Sequence, residues 1–220
     1  FEPIALKFGM SWRIAFSSNT ARVALFVSRY DHCLNELLFK RKSGEIQCDI
    51  PLIISNHEET KSIADYFNIP FFFFPMKKLS LEKKAEVEAQ QIKLLKEKEV
   101  DLIVLARYMQ ILSDSFVQEF KNRVINIHHS FLPAFVGARP YHQAHARGVK
   151  IIGATSHYVT AELDQGPIIE QDVARVTHRD TVQDMVKKGK NLEKLVLAQA
   201  VKDHLEHRVL VFGNKTVVFE

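Results

Sequence analysis

The sequence predicts an α/β fold, a mostly parallel open sheet with helices on both faces, and three observations predict it. Short apolar or β-branched runs alternate with stretches of helical spacing along the chain, the runs lack the polar alternation of a half-solvated sheet, and helix starts carry capping residues. Residues 23–28 and 51–55 are the first runs, and 71–74, four consecutive phenylalanines cut off by Pro70 and Pro75, read as a short buried strand. Residues 102–106, 124–127 and 151–158 continue the series, with 168–176 as a later member. Between them, 31–41, 58–67, 80–98, 114–120 and 139–147 have the spacing and composition of helices. Ser80 can cap the donors of a long helix with Glu82 in its first turn, and Thr181 can cap the last one, 182–207. The runs 209–212 and 216–219, joined through Gly213-Asn214, form a terminal hairpin.

Composition narrows the class of protein. A chain of 220 residues, 46% hydrophobic and 25% charged, suits one large domain with its own core. The net charge of +4 is spread out, with a dense patch only at Lys187, Lys188 and Lys190, so it implies a modest preference for small anions and no nucleic acid partner. Cys33 and Cys48 are too few for a disulfide framework and read as reduced and buried, which points to the cytoplasm. No apolar run approaches the ~18 residues of a membrane span.

Open sheets of this kind bind ligands at the carboxyl ends of their strands. Asn126 and His128 stand two apart at one such end, so they project together while Ile127 turns into the core. Arg107 and Met109 follow another strand, and the loop 160–167, closed by Gly166-Pro167, brings Asp164 within reach. An amide, an imidazole and a carboxylate in one crevice are equipped for acyl chemistry. The pairs His142/His145 and His204/His207 each share a helix face but lack an obvious third metal ligand, so no metal site is expected.

The run Asn126-x-His128, then Ser130-x-Leu132-Pro133, then Leu163-Asp164-x-Gly166-Pro167, resembles the folate-dependent formyltransferase family. The segments 105–113 and 153–160 agree, and the resemblance extends over about residues 21–213. It implies a Rossmann-like formyltransferase fold over residues 21–220, with residues 1–20 as the remnant of an N-terminal ACT-type regulatory domain and its linker. Two departures choose within the family. His128 is followed by His129, as in the deformylase branch, where the ribonucleotide transferases carry proline. The turn after the first strand, residues 27–35, has no glycine to let backbone amides approach a phosphate.

The resemblance therefore implies hydrolysis of 10-formyltetrahydrofolate by water to formate and tetrahydrofolate, with formate supplied to purine synthesis. It implies no cofactor beyond the folate substrate, no membrane partner, and a homo-oligomer. A phosphoribosylglycinamide formyltransferase is the alternative. The implied catalytic residues are Asn126, His128 and Asp164. The implied pterin slot lies between 107–112 and 159–164, with Arg107, Met109, Ile111, Leu112 and Val159 as contacts, and ordinary core is the lesser alternative for Ile111. Ala161 stands where the family has an aspartate that contacts the folate. His157 either flanks the reacting centre or is satisfied by backbone, and His129 either acts or packs at the strand end.

Overall fold

The computed structural model describes the chain apart from residues 13, 17 and 135–139. The elements in order are α1 (Glu2–Lys7), β1 (Arg22–Val27), α2 (His32–Ser43), β2 (Asp49–Ser55), α3 (Lys61–Tyr66), β3 (Phe71–Phe73), α4 (Leu81–Glu97), β4 (Leu102–Ala106), α5 (Asp114–Glu119) and β5 (Val124–His128). There follow α6 (Pro140–Arg147), β6 (Ile151–Tyr158), β7 (Ile168–Arg175), α7 (Val182–Leu205), β8 (Val209–Phe212) and β9 (Lys215–Val218). Among the described residues the main sheet runs β3-β2-β1-β4-β5-β6-β7, and β8 and β9 make the expected hairpin.

Pairing is parallel from β3 through β5 and antiparallel for β6 and β7. Successive residues of β1 serve opposite layers, as a strand covered on both faces requires. Val23, Leu25 and Val27 pack with residues of α2 and α7, whereas Ala24 and Phe26 pack with Leu95 of α4 and Phe116 of α5. The strand order reverses about β1, whose neighbours are β2 and β4, so a crevice opens beyond the carboxyl ends of β1 and β4.

Both expected caps form. Ser80 Oγ accepts from the Lys83 amide, and Thr181 makes a reciprocal capping box with Asp184. The lysine-rich face of α4 is solvated, and the opposite face buries Glu88, Gln91 and Leu95, with Ile92 and Leu94 packed partly against the core.

Three expectations need correction. The phenylalanine run is not a buried strand, because β3 is the outermost strand, paired on one side only, and Phe73 is exposed. Cys48 is half-buried, since it stands before β2 at the rim of the sheet; Cys33 is buried, and both thiols are free. The helix placed at 58–67 occupies only Lys61–Tyr66. Arg139, the expected first residue of α6, lies outside the described residues, as do residues 13 and 17 of the expected linker. No helix among the described residues is long and apolar enough to cross a membrane.

Candidate active site

Beyond β1, β4 and β5 lies a cavity of about 580 Å³, a size suited to a ligand such as a folate. Every residue singled out for the site lines it: Arg107, Met109, Ile111, Leu112, Asn126, His128, His129, His157, Val159 and Asp164. Ile111 is 73% exposed, so it belongs to the cavity mouth and not to the core.

Two hydrogen-bond arrangements fix the walls. Ser28 Oγ donates to Asn56 Oδ1 at 2.6 Å and accepts from the Met109 amide at 3.1 Å, tying the end of β1 to the segment after β4. The hydroxyl of Thr155 on β6 donates to the Ser130 carbonyl at 2.9 Å and accepts from the Leu132 amide at 3.0 Å, which pins the turn after His128 and His129. Arg107 and Asp164 both adopt positive φ, +65° and +56°, a conformation that is uncommon outside glycine and concentrates at functional sites.

The Asp164 loop folds back on β6. The Tyr158 amide donates to the Pro167 carbonyl at 2.9 Å, and Gly166 passes so close that a Cβ there would stand 1.7 Å from the Tyr158 carbonyl oxygen. The loop thereby delivers Asp164 Oδ2 to 3.1 Å from Nδ1 of His128, with Oδ1 3.7 Å from Nε2 of His157. Burial opposes ionisation of Asp164, but the hydrogen bond with His128 outweighs it and holds the carboxyl well below its usual range.

With Nδ1 of His128 turned to Asp164, its Nε2 is buried and without a partner among the described residues. His157 Nδ1 donates to the Tyr158 carbonyl at 2.9 Å, leaving Nε2 to accept from the Asn126 amide at 3.3 Å. Backbone thus satisfies one nitrogen of His157, and the other holds Asn126.

A second cluster, which the sequence reading missed, forms the opposite wall. Glu193 of α7 accepts from Tyr141 Oη at 2.8 Å, meets His32 Nε2 at 2.8 Å, and lies 3.4 Å from Arg107 Nε. Burial opposes its ionisation, and the hydrogen bond with His32 and the charge of Arg107 overcome that, holding its carboxyl below the usual range. The Arg107 guanidinium lies over the Tyr30 ring at 5.2 Å and Lys190 Nζ at 5.4 Å. A signal for Glu193 was available, since it is a charged residue on the apolar face of α7 between Gly189, Leu192, Val196 and Leu197, all buried. His32, Cys33 and Glu193 present ligand-type atoms within 4.8 Å of one another. The Arg107 guanidinium already neutralises this carboxylate, which argues against a second cation there.

His129 stands between the two clusters. Its ring centroid is 5.2 Å from that of His128 and 6.2 Å from that of Tyr141. Burial and the nearby Arg107 charge push its pKa down to about 4.

A doubly wound sheet whose crevice holds an amide, a carboxylate-paired imidazole and a second imidazole defines an enzyme of acyl-group chemistry. The formyl transferase family model matches residues 21–201. The formyltetrahydrofolate deformylase of Synechocystis sp. is 57% identical over 219 residues, spanning 100% of this chain and 76% of the relative, and that of Bacillus subtilis is 53% identical, spanning 100% and 72%. The crystal structure of a formyltetrahydrofolate deformylase from Pseudomonas syringae superposes with a TM-score of 0.95 at 52% identity, covering 100% of this chain and 73% of that one. Glycinamide ribonucleotide transformylase 1 of Symbiobacterium toebii superposes with a TM-score of 0.87 at 27% identity, covering 95% and 99%. The chain belongs to the formyl transferase family.

Proposed function

We infer that this chain hydrolyses 10-formyltetrahydrofolate to formate and tetrahydrofolate. The observation that carries the reading is the His128–Asp164 pair beside Asn126, in a chain whose full length matches deformylase relatives. In this reading the pterin enters between Arg107–Leu112 and the Asp164 loop, against Met109, Ile111, Leu112 and Val159. The formyl oxygen faces Nε2 of His128 and the second amide hydrogen of Asn126. Both then donate to the oxyanion as water adds, and one such donor is worth ~10²–10³ in rate.

Asp164 carries the compensating charge. Its carboxylate holds the Nδ1 proton of His128 and stabilises the imidazolium, so Nε2 remains a donor as negative charge develops. His157 holds Asn126 in place for the same purpose. No cofactor is needed, because donors of the chain itself meet the developing charge.

Water as the acceptor is supported by the far wall. Where a transferase turn would offer glycine amides to a phosphate, Tyr30 and Arg107 stack over one another. The two free cysteines support a cytoplasmic setting. A homo-oligomer is the expected assembly of the family, which a sizing measurement checks.

The decisive experiment incubates the purified chain with 10-formyltetrahydrofolate, with and without glycinamide ribonucleotide. Formate and tetrahydrofolate appear in equal amounts in both, and the ribonucleotide stays unformylated. Formylated amine accumulating in place of formate would overturn the reading.

A further inference from the structure

The oxyanion side of the site is provided for, but hydrolysis also needs a group to take a proton from water as it attacks. Asp164 is committed to another task, because its carboxylate is engaged by Nδ1 of His128 at 3.1 Å and its charge supports that imidazole as an oxyanion donor. His128 cannot donate to the oxyanion through Nε2 and accept a proton there at the same time. Both nitrogens of His157 are engaged, and Glu193 is engaged by His32, Tyr141 and Arg107.

We propose that His129 accepts the proton of the attacking water, and so makes water the formyl acceptor at this site. Its ring lines the same cavity, lies against His128, and hydrogen-bonds to no described residue. Among the described residues, the groups facing it are Arg107 after β4, His128 of β5, Tyr141 of α6, Glu193 of α7 and Asp164 of the loop. Burial, Arg107 and His128 disfavour a charged ring, and Glu193 and Asp164 only partly offset them, so the imidazole is neutral near pH 7 and its lone pair is available. His142 also lines the cavity but is exposed on α6.

The step balances without any further reactant. The water oxygen bonds to the formyl carbon while one water proton passes to the His129 ring. The carbon–N10 bond then breaks with its electron pair on N10, which takes the proton back from His129. Formic acid is left and ionises to formate, releasing one proton to solvent. A ring that is hard to protonate is a strong acid once it holds the proton, which suits its return to a weakly basic N10.

This inference rests on the hydrolase reading, and formate release by the unaltered chain tests that reading separately. His129→Gln and His129→Phe are compared with the unaltered chain using two acceptors, water and hydroxylamine, and tetrahydrofolate binding is measured on each preparation. Hydroxylamine is a strong nucleophile that needs no base, so its formylation depends on Asn126, His128 and Asp164 alone. Formate release falls about 10²-fold with the folate KM unchanged, while hydroxylamine formylation stays within a few-fold of the unaltered chain. An equal fall with both acceptors, undiminished formate release, or loss of tetrahydrofolate binding in both variants would each overturn the proposal.

Discussion

The carboxylate of Asp164 meets Nδ1 of His128 at 3.1 Å from a backbone held in the left-handed region, at φ +56°. Few side chains tolerate that conformation, and aspartate and asparagine are among those that do. Position and charge of the carboxylate are therefore separable at this site by one substitution.

Asp164→Asn keeps the backbone and the side-chain shape but removes the charge that supports His128 as a cation. The expected outcome is a fall in kcat of about 10³-fold with tetrahydrofolate binding largely retained. Steady-state kinetics and a binding titration check it. Equal loss of turnover and binding would make Asp164 a structural residue.

Gly166→Ala tests whether loop placement matters independently of the carboxylate. The added carbon would stand 1.7 Å from the Tyr158 carbonyl oxygen, a backbone atom that cannot rotate away. The loop must shift, costing about 1–3 kcal/mol in stability and carrying Asp164 out of hydrogen-bond reach of His128. A lower denaturation midpoint together with a loss of turnover like that of Asp164→Asn is expected. Full activity would show that the loop relaxes without moving the carboxylate.

The strands and the pair Asn126 and His128 were legible because apolar runs and two-residue alternation are local properties of the chain. Asp164 was legible through its Gly166-Pro167 turn and its family motif. The second cluster was not, because Arg107, Tyr141 and Glu193 come from three elements whose approach depends on how α6 and α7 pack on the sheet. The half-exposed state of β3 was hidden for a related reason: a run of phenylalanines reads as core whether the strand is central or outermost, and strand order is not written in any one segment.

Glu193→Gln probes that second cluster. The substitution keeps the shape and the bond from Tyr141 but leaves the guanidinium of Arg107, only 10% exposed, without its counter-charge. Removing one partner of such a buried pair costs about 3 kcal/mol or more. Urea denaturation should show the midpoint falling, and replacing both partners with apolar residues, Glu193→Leu with Arg107→Met, should recover part of the loss. An unchanged midpoint in Glu193→Gln would mean that Arg107 is compensated elsewhere.

Two titrations divide the acid response of the fold into separate windows. His129 has its folded pKa pushed down to about 4, below the ~6.5 of an unfolded histidine. A lowered folded value means that the unfolded chain binds the proton first, so stability falls as pH drops from ~6.5 toward 4 and this contribution is spent below that. Asp164 is also lowered, but for a carboxylate this adds stability above ~3.8 that is lost only at more acid pH. Between pH 7 and pH 5 the His129 contribution is therefore the one at work, amounting to about 2 kcal/mol. His129→Phe, which cannot take up a proton in either state, should lose correspondingly less stability over that interval in urea titrations at the two pH values. Identical losses in the variant and the unaltered chain would show that His129 does not carry the shift, and that another group facing Arg107 and Glu193 does.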